Sequence, residues 1–344
     1  MSTGVGKKAP VVIGGIIVKL SILDYSEIAE GETPEQALAH SVRLARLAEG
    51  WGYHRYWVSE HHGNNVLAGS APEILAGAIA AGTHRIRTGS GGVMLPMHSP
   101  FKVAESFAVL AALYPGRIDL GVGRSTGGPA DVSRVLLDGR SGSFRHYPDQ
   151  IARLAGYVRR SDEQPLPRPV PTEPPDLWLL GSSSGSAEIA ARHGMGLAFG
   201  HFISGQGGPE AVKAYREQFV PAAPGGKPQV LVSAFAVCGE TDEQAEKQAG
   251  VFDDYLLNIR EGGGLLRVPS IENVAAREYT PEQRQIMVAG RGRMLVGGPE
   301  RMKRQLIRLA DRYNADEIML ATVSPDFGHK CRMYELLAEV MRQA

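Results

Sequence analysis

The sequence predicts an α/β fold, a (β/α)8 TIM barrel with loop insertions, and three observations carry that expectation. Short apolar, β-branched runs alternate with segments of helical periodicity from one end of the chain to the other, the pattern of a parallel sheet. The strand–helix unit occurs eight times, the number that closes a barrel. Glycines, serines and charged residues gather where the apolar runs stop, which is where α/β enzymes keep their chemistry. Alternation by itself leaves an open, doubly wound sheet as the structural alternative. The 344 residues fit one large domain or two ordinary ones, and residues 1–344 read as a single barrel domain. The excess over the usual ~250 residues falls in loops near 124–147 and 262–280.

The elements follow in order. Val11 to Leu20 reads as the first strand. Thr33 then caps a helix with Pro34 at its first position and Gln36 three residues after the cap. Leu38, Val42, Ala45 and Ala48 continue it at helical spacing. The second strand ends at Ser59, and Ala71-Pro72-Glu73 opens the next helix. Ile86 to Leu95 is the third strand, followed by a helix from Pro100 to Leu113. Pro115-Gly116 turns the chain into the fourth strand, Arg117 to Gly123. Beyond a looser stretch, a helix runs through Val158, and the Pro-rich PLPRPVPTEPP leads to the fifth strand, Leu177 to Gly181. A helix from Ser186 to His193, a sixth strand from Leu197 to Gly200 and a helix from Glu210 to Phe219 come next. Val230 to Val237 is the seventh strand, and Thr241 caps the helix after it. Past the irregular 262–280 segment, a helix from Pro299 to Tyr313, an eighth strand from Glu317 to Thr322 and a last helix complete the chain.

Composition excludes some classes of function. Hydrophobic residues make up 43% and charged residues 22%, a globular profile. Lysine plus arginine balances aspartate plus glutamate at 37 each, which argues against a nucleic-acid or anionic-membrane partner. Cys238 and Cys331 are the only cysteines, so a reducing cytoplasm is the expected home. The apolar run VVIGGIIV is too short to span a bilayer and is broken by Lys19.

Four strand ends carry residues suited to chemistry. Gly181-Ser182-Ser183-Ser184-Gly185-Ser186 enters a helix, whose free N–H groups and serine hydroxyls form an anion cradle, or else simply cap the helix. Arg124 ends the fourth strand, where a guanidinium can fork onto a phosphate. Gly91-Gly92 interrupts the third strand, marking a bulge, the approach of a flat ligand, or a tight interior that needs small side chains. Glu60-His61-His62 follows the second strand. Consecutive histidines on extended backbone point opposite ways, so joint ligation of one metal is awkward and no metal site is expected.

Together these stretches resemble the luciferase-like flavin-dependent monooxygenases. The resemblance runs through LSILD at 20–24, YHRYWVSEHH at 53–62, IRTGSGGVMLPMHSP at 86–100, YPGRIDLGVGR at 114–124 and LWLLGSSSGSAEIAA at 177–191. It continues more faintly in FGHF at 199–202 and ADEIML at 315–320. It implies a barrel binding FMN at its C-terminal mouth, with the reduced flavin delivered by a separate flavin reductase. O2 then reacts at the flavin C4a, and the resulting peroxide or hydroperoxide oxidises a small organic substrate. By resemblance, Arg124, Ser182, Ser183 and Ser186 hold the FMN phosphate, the ring lies against Gly91 and Gly92, and the bond joining those glycines is a non-prolyl cis peptide. His61 matches the family's active-site histidine, as proton-transfer residue or hydrogen-bond donor, and Glu60 its acidic neighbour, which either orients His61 or is paired structurally. Gly123 stands where luciferase itself has a reactive cysteine, so light emission from a long-chain aldehyde is not implied. A deazaflavin-dependent dehydrogenase and a non-catalytic FMN-binding protein are the alternative readings. The small residues Ala76 to Gly82 suggest a homodimer contact through the second helix, or simple packing onto the barrel.

Overall fold

Side-chain alternation decides the two faces of each strand. In the second strand Tyr56 and Val58 pack outward among helix residues, while Trp57 between them joins a separate interior cluster with Leu23, Trp178, Ala198, Leu231 and Met319. In the fifth, Leu177 and Leu179 face outward and Trp178 inward. Strands apolar on both faces must be covered on both, which requires a closed sheet wrapped in helices.

The structure is a computed structural model that describes residues 12–13, 16–139, 144–160, 164–204 and 206–342. Its barrel strands are β1 (Lys19–Asp24), β2 (Arg55–Val58), β3 (Arg87–Met94), β4 (Ile118–Gly123), β5 (Asp176–Gly181), β6 (Gly196–Gly200), β7 (Val230–Cys238) and β8 (Glu317–Ala321). Each pairs in parallel with the next, and β8 pairs with β1 as well as β7, so the eight strands close and the open-sheet alternative is excluded. A further strand, Met294–Gly297, pairs with the end of β7 at Phe235–Cys238, taking over from β8, which pairs with β7 as far as Phe235.

The first strand requires a correction. The barrel strand begins at Lys19, and Val12–Ile13 pairs antiparallel with Ile16–Ile17 ahead of it. The apolar run carries a Gly-Gly dipeptide, a sequence signal for a hairpin, so the run folds on itself rather than extending. Other elements start where their caps place them. Thr33 accepts from Gln36 N and the Gln36 side chain accepts from Thr33 N, opening the helix Pro34–Trp51. The helix after β5 is Ser184–Arg192, two residues ahead of its predicted start, because Ser183 Oγ is the cap. The loop after β4 contains a helix, Ala130–Leu137, and the 262–280 segment a short one, Ile271–Ala275. No helix among the described residues is long and apolar enough to cross a membrane.

A buried ion network plugs the N-terminal end of the barrel. Arg55 donates to Asp119 at 2.7 Å and to Glu317 at 2.6 Å, tying β2 to β4 and β8. Asp119 also accepts from Trp57 Nε1 at 2.8 Å and from Arg87 Nε at 2.9 Å. Burial opposes the charge on Asp119, but the Arg55 and Arg87 guanidinium groups outweigh it and hold the carboxyl below its usual range. With that end of the interior tied together by ion pairs, the larger cavity lies towards the C-terminal end.

Candidate active site at the barrel mouth

A cavity of about 1190 Å³ opens at the C-terminal ends of the strands. All eight residues singled out from the sequence, Glu60, His61, Gly91, Gly92, Arg124, Ser182, Ser183 and Ser186, lie at this mouth, and all but Gly92 line the cavity. Residues 60–62 follow β2, Gly91 lies within β3, Arg124 follows β4 and the serines follow β5, so the barrel brings four separate stretches to one rim.

β3 carries a bulge where the glycines fall. Gly91 pairs with Gly121 and Val93 with Val122, which leaves Gly92 as the extra residue, and the Gly91–Gly92 peptide is cis as the resemblance implied. A Cβ on Gly91 would come within 2.6 Å of Leu23 Cδ1, and one on Gly92 within 2.8 Å of the Gly121 carbonyl oxygen. Close approach by neighbouring strands therefore accounts for both glycines, and Gly91 still presents bare backbone to the cavity.

Glu60 does not orient His61. Its Oε1 accepts from His62 Nε2 at 2.6 Å and from His98 Nε2 at 2.7 Å, and its Oε2 accepts from Met94 N at 2.9 Å. Only 1% of the residue is exposed, and burial alone would raise its pKa, yet these N–H donors hold it down at about 2. An ionised carboxylate can only accept, so both imidazoles donate from Nε2. Among the described residues Glu60, His62 and His98 are also the group whose ligand atoms converge closely enough for a metal. The short hydrogen bonds already occupy Oε1. Glu60 thus pins the loop after β2 to the bulged end of β3.

His61 points elsewhere, as consecutive residues on extended backbone should. Its Nδ1 lies 3.1 Å from Ser59 Oγ, its ring meets Tyr25 edge-on at 5.5 Å, and its backbone N–H donates to Gly69 O. Nε2 has no hydrogen-bond partner among the described residues. Burial pushes its pKa down to about 4, with the Glu60 charge opposing, so the ring is neutral at physiological pH. A neutral imidazole fixed at one nitrogen offers the other as a base or a donor, according to the tautomer that Ser59 selects.

The opposite rim is built for an anion. Arg124 is exposed and forms no ion pair or hydrogen bond with any described residue. Ser182, Ser183 and Ser186 surround the N-terminus of helix Ser184–Arg192, with Ser183 Oγ 3.2 Å from Ser186 Oγ. Tyr147 joins them from outside the motifs. Its hydroxyl is buried with no hydrogen-bond partner among the described residues, and it is near enough to Arg124 for that charge to offset part of the burial that raises its pKa. A buried donor costs free energy until something accepts from it, so an arginine and an orphaned hydroxyl together fit a phosphate. The sequence signal for Tyr147, an aromatic residue just ahead of the Pro in the first turn of a helix, is too common to have singled it out. His98 was equally hidden, 38 residues from the carboxylate it serves.

Comparison with known proteins agrees with this geometry. Residues 18–315 match the model of the luciferase-like monooxygenase family. The chain belongs to that family. Among the proteins it is similar to, the uncharacterised protein YwcH of Bacillus subtilis is 45% identical, over 94% of this chain and 99% of that one. The N-acetyl-S-alkylcysteine monooxygenase of the same organism is 37% identical, over 95% of this chain and 99% of that one. The crystal structure of apo-MsnO8 superposes with a TM-score of 0.86 at 38% identity, covering 94% of this chain and 98% of that one. At the level of fold alone, the likeness extends to two more distant structures. One is the oxygenating constituent of a Pseudomonas putida 3,6-diketocamphane monooxygenase in complex with FMN, with a TM-score of 0.69 at 18% identity, covering 95% of this chain and 98% of that one. The other is an F420-dependent secondary alcohol dehydrogenase, with a TM-score of 0.61 at 14% identity, covering 94% of this chain and 99% of that one.

Proposed function

We propose that this luciferase-like protein is a flavin-dependent monooxygenase that uses reduced FMN, supplied by a separate reductase, and O2 to oxidise a small organic substrate. The observation that carries the reading is the Arg124 cation, without an ion-pair partner among the described residues, on the same cavity wall as the serine-ringed helix N-terminus, a pairing that fits the FMN phosphate, with the buried Tyr147 hydroxyl near Arg124. Ser182, Ser183 and Ser186 complete the cradle, and Gly91, at the bulge that Gly92 makes, offers the ring a surface without a side chain. When bound, the reduced flavin supplies the electrons that activate oxygen. The protein's part is to hold and orient, to keep water from the reacting atoms, and to place His61 Nε2 where it can take or give a proton. Glu60 contributes by position, through His62, His98 and the Met94 amide. The alternative chemistry on this fold, hydride transfer to or from a deazaflavin, needs no oxygen.

Stopped-flow mixing of the protein and reduced FMN with oxygenated buffer tests the proposal. The expected record is a transient absorbing species that outlives the oxidation of free reduced flavin. Arg124→Ala should weaken FMN binding by ~10- to 100-fold, the range for a charge-assisted hydrogen bond. His61→Ala should keep FMN affinity within about twofold while shortening the transient, because it removes a proton-transfer group and no phosphate ligand. Oxidation at the free-flavin rate with no transient would overturn the monooxygenase reading. Unchanged FMN affinity in Arg124→Ala would overturn the phosphate assignment.

A further inference from the structure

Glu60 differs from the other buried carboxylates in the partners it has. Every other buried Asp or Glu among the described residues pairs with a lysine or an arginine, as Asp119 does with Arg55 and Asp24 with Lys330. Those side chains carry a permanent charge, which offsets part of the cost of burying a carboxylate. The ion-pair partners of Glu60 are instead two histidines, His62 and His98, each reaching Oε1 through Nε2. An imidazole is charged only when protonated, which makes it a poor permanent counter-ion. It is, however, the commonest metal ligand among side chains.

The geometry is that of a ligand set. One ligand atom from each of Glu60, His62 and His98 lies within 4.8 Å of the other two. Around a tetrahedral zinc, with bonds of ~2.0–2.1 Å, neighbouring ligand atoms stand ~3.3 Å apart. The two Nε2 atoms, at 2.6 and 2.7 Å from Oε1, would draw back from it by ~0.6–0.7 Å. Both rings have room to do so, since the side chains of His62 and His98 are 12% and 33% exposed. The carboxylate stays in place, because Oε2 accepts from Met94 N at 2.9 Å, the kind of outer hydrogen bond that orients a metal ligand. The backbones are fixed as well: His62 N donates to Gly127 O at 2.7 Å and His98 N to Leu95 O at 3.1 Å. The hydrogen bonds and a cation are alternatives for the same atoms. Coordination takes the lone pair of each Nε2, and the ring proton moves to Nδ1.

We propose that Glu60, His62 and His98 bind one divalent first-row transition-metal ion, of the zinc class. Two imidazole nitrogens and one carboxylate oxygen suit such an ion, whereas calcium and magnesium take oxygen ligands. Three protein ligands leave a coordination position for water or another small ligand. Glu60 and His62 line the mouth cavity, which gives the ion its way in. Once bound, it staples the loop after β2 to the turn after β3, joining residues 38 positions apart in the chain. The histidines that converge are His62 and His98, not the consecutive His61 and His62, and His61 keeps its contacts with Ser59 and Tyr25. The site does not depend on the flavin reading.

Zn2+ titrated by calorimetry into the full-length protein, freed of metal and flavin, tests the site, with Co2+ absorption as a second probe. The wild type should take up one Zn2+ per chain and unfold at a higher temperature with it. Bound Co2+ should show the visible bands of a low-coordinate nitrogen and oxygen site, and excess Mg2+ should displace neither ion. His98→Gln and His62→Gln each keep an N–H donor for Glu60 Oε1, so both variants should fold, as far-UV circular dichroism will show. Each should weaken Zn2+ by at least ~100-fold, since outer hydrogen bonds alone are worth ~10- to 100-fold in such sites. His61→Ala should leave Zn2+ affinity within about twofold of wild type, because His61 is no part of the ligand set. His329→Ala should do the same, its surface pair with Asp326 serving as the control for adventitious uptake. A wild type that takes up no Zn2+, or uptake that survives both glutamine substitutions, would overturn the site. Uptake lost in His329→Ala instead would identify a surface ion and overturn it equally.

Discussion

Two buried residues at the mouth, Glu60 and Tyr147, hold opposite balances of hydrogen bonding, and each makes a distinct experiment. Glu60 has more donors than it needs to stay ionised. A carboxyl held at about 2 against its ordinary 4.5 contributes about 3 kcal/mol to folding. Because the folded value is the lower one, that contribution is fully present above pH 4.5 and is lost as pH falls towards 2. Glu60→Gln puts an NH2 group against the N–H of His62, His98 or Met94. It should destabilise the protein by ~2–3 kcal/mol at pH 7, read from the urea midpoint, with the deficit shrinking below pH 4.5. A deficit independent of pH would mean that shape, not charge, sets the cost. Tyr147 has no hydrogen-bond partner among the described residues. Tyr147→Phe removes the orphaned hydroxyl, so the flavin-free protein should become more stable by ~1 kcal/mol while FMN binding weakens by ~3- to 10-fold. Opposite signs in thermal unfolding and in FMN titration identify a ligand-binding hydroxyl; a loss in both would make Tyr147 a packing residue.

At the scale of strands and helices, local pattern carried most of the information. β2 through β8 were legible because strand alternation and Pro- or Thr-marked helix starts are written within a few neighbouring residues. The first strand differs from the expectation because VVIGGIIV is apolar enough for a barrel strand, while its Gly-Gly favours a hairpin. The serine-ringed helix start was legible for the same local reason, whereas the partners of Glu60 and the burial of Tyr147 depend on contacts the barrel makes between distant segments. The plug shows the limit again, since nothing local in RYWV reveals that Arg55 reaches both Asp119 and Glu317. That network can be tested by Asp119→Asn, which leaves Arg55 and Arg87 short of one buried negative charge. Breaking a buried pair on one side costs ~3–5 kcal/mol, so the denaturant midpoint should fall accordingly. FMN affinity should stay within about twofold, because Asp119 does not line the cavity. Equal losses in stability and flavin binding would show that the plug also sets the geometry of the mouth.

For the molecule as a whole, the outer surface beside β2 and β3 bears on assembly. The small residues of helix Pro72–Gly82 are used within the chain. Leu75, Ala76, Ile79 and Ala80 are buried against the barrel, and a Cβ on Gly77 would sit 3.1 Å from Leu110 of the neighbouring helix Pro100–Leu113. Smallness there explains how the two helices come close, and does not by itself call for a partner. The larger side chains on the same pair of helices do: Ile74 is 72% exposed, Leu113 63% and Val109 45%. Exposed aliphatic residues on two adjoining helices favour being covered, and the simplest cover for an identical surface is its own copy about a two-fold axis. None of the three lines the cavity, so each protomer of such a dimer keeps a complete site. Sedimentation at tens of micromolar should therefore show a homodimer binding one FMN per chain. Ile74→Asp with Leu113→Asp should yield a monomer of unchanged helical content whose FMN affinity stays within about twofold, since the paired charges penalise burial without touching the mouth. A wild-type protein that sediments as a monomer would remove the assembly, and a double variant that loses FMN on dissociating would show that the partner shapes the mouth from a distance.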